Sequence, residues 1–254
     1  MLNYQIYGED LNTPPLIIAH GLFGSARNWG VIAKRLSDIR QVVAVDMRNH
    51  GQSPHHDTHD YPAMADDLAA VIRHLGGTAD VLGHSMGGKA SMVLALTQPD
   101  IIRHLIVVDI APVAYTHTQL PYLKAMQSVD LSTVTRRSDA DAQLMAAVPD
   151  PSLRSFLAQS LEISDGVARW RLNLPVLAAE MDKVMSFPRV EGQFSGRVDF
   201  VVGGASTYVD DANWKAAQDL FPMANIHTIE GAGHWVHAEA PRPFEAAVRH
   251  LLSN

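Results

Sequence analysis

The sequence predicts an α/β fold in which a mostly parallel sheet is flanked by helices. Six short stretches, three of them continuous runs of Val, Ile, Leu and Ala, have the pattern of strands buried on both faces. They are residues 16–19, 42–45, 79–82, 105–108, 198–202 and 225–229. Segments with helical spacing of apolar residues lie between or after them, at 64–75, 86–96, 212–221 and 244–252. This alternation indicates helices on both sides of the sheet.

The alternation is interrupted once, over residues 112–197. Apolar residues in this interval, such as Leu153 and Phe156, have helical spacing, and no run indicates a strand. A structureless loop of this length is implausible in a compact domain. We therefore predict a helical cap, residues 112–197, inserted into a core domain formed by residues 1–111 and 198–254.

The composition indicates a globular chain that acts away from nucleic acids and membranes. Its 254 residues, 47% of them hydrophobic, fit one domain with an insertion. The net charge of −7 provides no basic face for nucleic acid, and the absence of cysteine excludes disulfides and thiolate catalysis. The first residues lack the pattern of a secretory signal, and no apolar run approaches the roughly 18 residues of a membrane span. We expect a cytoplasmic monomer or homodimer.

A glycine-rich turn between a predicted strand and helix allows two interpretations. Residues 83–89 match a phosphate-binding loop through its lysine, but Ala90 stands where a hydroxyl would hold magnesium. Residues 83–87 match G-x-S-x-G completely. In that motif the serine lies on a sharp turn that exposes its hydroxyl, and the helix N-terminus favours developing negative charge. We predict that Ser85 is a nucleophile; a glycine-rich turn without chemistry is the alternative.

A serine nucleophile needs a base and two backbone amides that stabilise an oxyanion. His234 lies in the loop after the last strand, at the sheet edge where α/β folds place their sites. It is the predicted base, and His237 is its rival. One amide is expected from Met86, directly after the nucleophile. The other is expected from Leu22, in the loop after the first core strand, with Phe23 as the second choice.

Together these motifs resemble the α/β-hydrolase family over nearly the whole chain. HGLFGSARNW, DMRNHGQS, GHSMGG and GAGHWVHAEAP occur in the family's order and spacing. VVDIAP after the nucleophile helix and WRLNLP in the cap further resemble the small bacterial YbfF-type esterases. The resemblance implies hydrolysis of small-molecule acyl esters, acyl-CoA thioesters included, without cofactor or metal. We expect Phe23 and Trp235, which lie within these motifs, to contact the substrate.

The acid that orients the base departs from the family's common pattern. Most relatives carry an aspartate shortly after the strand at 198–202, and here that position is Ser206. Asp109 ends the fourth predicted strand, and the VVDIAP match implies that it is the acid in the YbfF-type subgroup. Asp210 and Asp211 are the alternatives.

The predicted function is therefore a serine hydrolase of carboxylic esters or thioesters. The same fold also serves C–C bond hydrolases and cofactor-free haloperoxidases, which share the serine triad. A non-catalytic ligand receptor of this fold is the alternative from a different class, because fold alone does not decide function.

Three charged features are expected to be ordinary surface. Lys89 is predicted to be solvated, and residues 55–60, HHDTHD, to form a surface loop rather than a metal site. Five cap arginines could meet coenzyme A phosphates, although a charged helical surface is favoured: Arg136, Arg137, Arg154, Arg169 and Arg171.

Overall fold

The structure is a computed structural model that describes residues 1–253. Asn254, the last residue of the predicted core domain, lies outside the described residues. The strands are β1 (Tyr4–Tyr7), β2 (Leu16–Ala19), β3 (Val42–Val45), β4 (Ala79–His84), β5 (Ile102–Val108), β6 (Leu161–Ser164), β7 (Val167–Trp170), β8 (Arg197–Gly203) and β9 (Ala224–Ile229). The helices are α1 (Gly30–Leu36), α2 (Tyr61–His74), α3 (Met86–Thr97), α4 (Leu120–Gln127), α5 (Arg137–Leu144), α6 (Pro151–Ala158), α7 (Leu174–Ala179), α8 (Met181–Met185), α9 (Asp211–Leu220), α10 (Val236–Glu239) and α11 (Pro241–Ser253).

Seven strands form one sheet in the order β1-β3-β2-β4-β5-β8-β9. All neighbouring pairs are parallel except β1 and β3, which are antiparallel. The predicted fold class, a mostly parallel sheet flanked by helices, is confirmed. All six predicted strands are present, and β1 is an edge strand that the sequence analysis missed.

Each face of the sheet packs against its own layer of helices. Ile17 of β2 belongs to the core that contains α2 and α3, whereas its neighbours Leu16 and Ile18 belong to the core that contains α1 and α11. Successive side chains of a strand point to opposite faces, so a strand covered on both sides needs apolar residues at every position. This explains the continuous apolar runs. No helix among the described residues is long and apolar enough to span a membrane.

The segment between β5 and β8 contains five helices, α4 to α8, and one β-hairpin. The expectation that this interval lacks strands was wrong, because β6 and β7 pair antiparallel there. Asp165 and Gly166 connect them, with φ of 52° and 78°. Two consecutive residues with positive φ are the requirement of a tight type I′ hairpin turn, for which Asp-Gly is a preferred sequence.

Candidate active site

Ser85 lies on the sharp turn between β4 and α3, with a φ of 52°. This left-handed conformation is strained for a residue other than glycine, and such strain is concentrated at functional sites. The turn is also crowded. A Cβ atom on Gly83 would lie 2.4 Å from the Gly87 carbonyl oxygen, and one on Gly87 would lie 2.3 Å from the Ala19 carbonyl oxygen. Only glycine fits at both positions, and the turn they permit presents the Ser85 side chain at the end of the sheet.

Ser85, His234 and Asp109 form a continuous row of hydrogen bonds. The His234 Nε2 atom lies 3.1 Å from Ser85 Oγ, and His234 Nδ1 lies 2.8 Å from Asp109 Oδ2. Asp109 is completely buried and also accepts hydrogen bonds from the Gly203 amide at 2.9 Å and the Ser206 hydroxyl at 2.5 Å. An ionised carboxylate only accepts, so the Nδ1 atom carries the proton and Nε2 is free to accept from the serine. The structure thus brings the three predicted residues together.

The alternative acids lie in other roles. The Asp210 side chain caps α9 by accepting a hydrogen bond from the Asn213 amide at 2.8 Å, and Asp211 is the exposed first residue of that helix. No hydrogen bond or ion pair joins either carboxylate to His234 among the described residues. Ser206, which occupies the family's usual acid position, instead supports Asp109 through its hydroxyl.

The rival base, His237, is a packed residue. Its ring stacks on Trp29 with centroids 4.0 Å apart, and burial lowers its pKa to about 3. His234 itself is held by stacking on Tyr208, with centroids 4.0 Å apart and ring planes 18° from parallel. The Tyr208 hydroxyl is hydrogen-bonded to His117 Nε2 at 2.9 Å. The sequence analysis missed Tyr208, because no pattern marks a ring that stacks on a catalytic candidate from another loop.

Two backbone amides next to Ser85 have no protein acceptor. Within residues 1–253, neither the Leu22 amide nor the Met86 amide donates to another protein atom, whereas the Phe23 amide donates to His50 Nε2 at 3.2 Å. The loop that carries Leu22 packs directly on the serine, since a Cβ atom on Gly21 would lie 3.3 Å from Ser85 Cβ. The Leu22 amide, the first choice for this loop, is therefore free to bind a substrate oxygen, whereas the Phe23 amide, the second choice, is already engaged.

A cavity of about 330 Å³ opens at Ser85. Its walls are largely apolar or aromatic and include Met86 and Ile110, with both predicted substrate contacts, Phe23 and Trp235, among the lining residues. Phe23 is buried, and Trp235 is 38% exposed. The site thus combines a serine hydroxyl within hydrogen-bond distance of an imidazole, two unengaged backbone amides and space for an apolar group.

Comparison with known proteins identifies the family. A family model described as alpha/beta hydrolase fold matches residues 14–241. The chain belongs to the α/β-hydrolase family. That span includes the turn of Ser85, Asp109 directly after β5 and the loop of His234 after β9.

Relatives of this α/β-hydrolase are named as lipases and esterases. The sn-1-specific diacylglycerol lipase ABHD11 of Mus musculus is 41% identical over 261 residues, which cover 99% of this chain and 85% of that protein. Esterase YbfF of Escherichia coli is 37% identical over 247 residues, covering 96% and 94%. The solved structure of a marine microorganism esterase has a TM-score of 0.93 at 35% identity and covers 98% of both chains. The predicted resemblance to YbfF-type esterases is confirmed, and these names support an ester-cleaving hydrolase.

The expectation that Lys89 of this α/β-hydrolase is solvated was wrong. The side chain is 1% exposed and lines the cavity. Its ammonium group donates to the carbonyl oxygens of Val113, Met185 and Ser186 at 2.7, 3.2 and 2.6 Å. Burial lowers its pKa to about 7. Lys89 therefore ties α3 to both ends of the segment between β5 and β8.

The other charged features lie partly as expected. Residues 55–58 are exposed, but His59 is completely buried. No group of three or more His, Cys, Asp or Glu side chains within the described part of the chain is arranged to hold a metal ion. Each of the five cap arginines already has a partner: Arg136 with Asp139, Arg137 with the Ala158 and Leu161 carbonyls, Arg154 with Asp141, and Arg169 and Arg171 with Glu162.

Proposed function

We propose that this α/β-hydrolase is a serine esterase that cleaves carboxylic esters through an acyl-enzyme on Ser85. The observation that carries the proposal is the row of hydrogen bonds from Ser85 through His234 to Asp109, which begins at the mouth of an apolar cavity. A serine, a histidine and an aspartate in this order activate the serine hydroxyl at neutral pH.

Acylation begins when Ser85 Oγ attacks the carbonyl carbon of the ester. His234 Nε2 takes the hydroxyl proton, while Asp109 keeps the other proton on Nδ1 and stabilises the imidazolium. The carbonyl oxygen becomes negatively charged and accepts hydrogen bonds from the Leu22 and Met86 amides. As the tetrahedral intermediate collapses, the ester C–O bond breaks and the alcohol leaves with the proton from His234.

Deacylation repeats these steps with water. His234 removes a proton from a water molecule, whose oxygen attacks the acyl carbon under the same two amides. The bond to Ser85 breaks, the serine recovers its proton from His234, and the carboxylic acid leaves.

The cavity and the cap favour esters that have an apolar acyl group and lack a large anionic leaving group. The apolar walls suit a hydrocarbon chain. The cap arginines that could have met coenzyme A phosphates are bonded to carboxylates and carbonyls of the cap itself. We therefore place simple carboxylic esters before acyl-CoA thioesters as substrates.

The test is hydrolysis of p-nitrophenyl esters from acetate to palmitate, with Ser85→Ala and the exposed Ser253→Ala as a matched pair. We expect turnover in the wild type and in Ser253→Ala, and its loss in Ser85→Ala. A fluorophosphonate probe should label Ser85 alone. Hydrolysis that survives in a folded Ser85→Ala protein, or no hydrolysis of any ester by the folded wild type, would refute the proposal.

A further inference from the structure

Three buried imidazoles lie in a row behind the loop that carries Leu22. The ring centroids of His20 and His50 are 5.1 Å apart, and those of His50 and His59 are 5.4 Å apart. Each of the three residues is at most 1% exposed. None belongs to the row formed by Ser85, His234 and Asp109. The imidazoles extend from the loop of Leu22 to Met86, whose sulfur lies 3.3 Å from His59 Nε2, and so connect the two segments that hold the unengaged amides.

The contacts of His50 determine which of its nitrogens carries the proton. Its Nδ1 atom lies 2.9 Å from the Arg48 carbonyl oxygen, which can only accept, so Nδ1 is protonated. Its Nε2 atom receives the Phe23 amide at 3.2 Å and must be unprotonated. Burial holds the pKa of His50 well below its ordinary value, and the neighbouring histidines lower it further. The ring is therefore a fixed, neutral acceptor.

His20 is fixed in the same way at the start of the loop. Its Nδ1 atom donates to the Gly21 carbonyl oxygen at 2.7 Å, and its Nε2 atom accepts the Met47 amide at 2.9 Å. The Gly21 carbonyl also accepts from the Gly24 amide at 3.0 Å, which closes a four-residue turn over residues 21–24. The turn that contains Leu22 is thus anchored at its first residue.

The third residue of that turn is strained. Phe23 has a φ of 65°, a value that a type II turn requires at this position and that glycine normally supplies. A side chain in this conformation costs free energy, and it persists only where the surroundings hold it. The hydrogen bond from the Phe23 amide to His50 is one contact that holds it, beside the burial of the Phe23 ring and the Gly24–Gly21 hydrogen bond.

We propose that His50 is a positioning residue for the oxyanion hole. By accepting the Phe23 amide, it keeps the 21–24 turn in the strained conformation that directs the Leu22 amide towards the oxygen bound at Ser85. This inference rests on the proposed serine-esterase function. Without the acceptor the turn relaxes, and the Leu22 amide moves off the oxyanion. Because the oxyanion forms only in the transition state, such a loss lowers kcat and leaves KM nearly unchanged.

Two amide substitutions separate the two hydrogen bonds of His50. In His50→Gln the side-chain oxygen reaches the depth of Nε2 and can accept the Phe23 amide. In His50→Asn the shorter side chain ends at the depth of Nδ1 and cannot. We expect kcat to fall about tenfold to a hundredfold in His50→Asn, less than the loss of a whole oxyanion donor, and at most about threefold in His50→Gln. KM should stay within about twofold in both.

The same variants should separate transition-state binding from ground-state binding. Affinity for a trifluoromethyl ketone, which forms a tetrahedral adduct with Ser85, should fall in parallel with kcat, whereas affinity for the product carboxylate should not. The exposed His56, changed to Asn and to Gln, is the matched control and should leave both affinities unchanged. A variant that only lowered the stability of the fold would not weaken binding of the ketone while leaving binding of the carboxylate unchanged.

Equal kcat values for folded His50→Gln and His50→Asn would overturn the inference. If His50→Asn does not fold, NMR of the wild type decides: ¹⁵N shifts should show Nδ1 protonated and Nε2 unprotonated, and the Phe23 amide should be protected from hydrogen exchange. A proton on Nε2 would refute the inference. Absence of ester hydrolysis in the wild type, or its survival in Ser85→Ala, would instead refute the proposed function.

Discussion

Moving the carboxylate from Asp109 to position 206 should restore part of the activity that Asp109→Asn removes. The Ser206 hydroxyl lies 2.5 Å from Asp109 Oδ2, and that oxygen lies 2.8 Å from His234 Nδ1. An aspartate at 206 is one atom longer than the serine, so its carboxylate can lie against the asparagine at 109 and close enough to stabilise the imidazolium by its charge.

The sizes of the loss and of the rescue follow from the charge. An asparagine at 109 neither selects the correct imidazole tautomer nor stabilises the imidazolium, and in comparable triads this change costs about 10⁴-fold in kcat, equal to about 5.5 kcal/mol. A carboxylate about 4 Å from the imidazolium contributes about 4 kcal/mol at an effective dielectric constant of about 20. Imperfect placement and desolvation reduce this figure, so we expect Ser206→Asp to recover about tenfold to a hundredfold.

The assay is kcat on the best p-nitrophenyl ester for Asp109→Asn alone and combined with Ser206→Asp or with Ser206→Asn. The Asn combination is the matched neutral control and should show no rescue. Asp210→Asn should retain wild-type kcat, because that carboxylate caps α9. If Asp109→Asn kept more than a tenth of the activity, or if both combinations rescued equally, the assignment of Asp109 as the acid would be refuted.

Three further predictions concern stability and substrate entry. Because burial lowers the pKa of Lys89 to about 7 from 10.5, the unfolded chain binds more protons than the folded one between these pH values. The free energy of unfolding of the wild type should therefore rise with pH relative to that of Lys89→Met, by up to about 1.4 kcal/mol per pH unit. The same pH dependence of the free energy of unfolding in both proteins would contradict this. Burial opposes ionisation of Asp199, but hydrogen bonds from His104 and His227, both 2.7 Å, outweigh it and lower the pKa to about 2. Wild-type stability should fall by about 2 kcal/mol as pH drops from about 4 to about 2, and Asp199→Asn should lack this step in acid titration. Trp235→Ala, at the partly exposed mouth of the cavity, should raise KM for the longest ester hydrolysed about threefold at constant kcat; a fall in kcat alone would show another role.

The parts of the fold that the sequence predicts well are those whose environment is nearly uniform. Strands β2, β3, β4 and β5 are completely or almost completely buried, so most of their side chains are apolar, and the apolar runs at 16–19, 42–45 and 105–108 are unbroken. Strand β1 is different. Its four residues, YQIY, lie at the edge of the sheet, none of them is fully buried, and they contain no continuous run of branched apolar side chains.

The hairpin formed by β6 and β7 was missed although its signal was present. Asp165-Gly166 is a preferred hairpin turn and is flanked by residues that partly alternate between apolar and polar, but the helical spacing of the surrounding apolar residues masks this signal. Lys89 had no such signal. Its three carbonyl partners lie 24 to 97 residues away, so only the folded chain reveals that a charged side chain is buried there.

The position of Asp109 shows why a carboxylate can reach the same histidine from a different place in the sequence. Strands β5 and β8 are parallel neighbours, and Val108 pairs with Val201, so both strands reach the same edge of the sheet. A residue shortly after either strand can therefore direct its side chain towards the histidine. Asp109 does so from β5 in a left-handed conformation, with a φ of 50°, while its amide donates to the Val201 carbonyl at 3.0 Å. In the common family pattern the carboxylate stands at position 206, whereas here the Ser206 hydroxyl at that position binds the carboxylate of Asp109. The absence of an aspartate after β8 therefore does not imply an incomplete site.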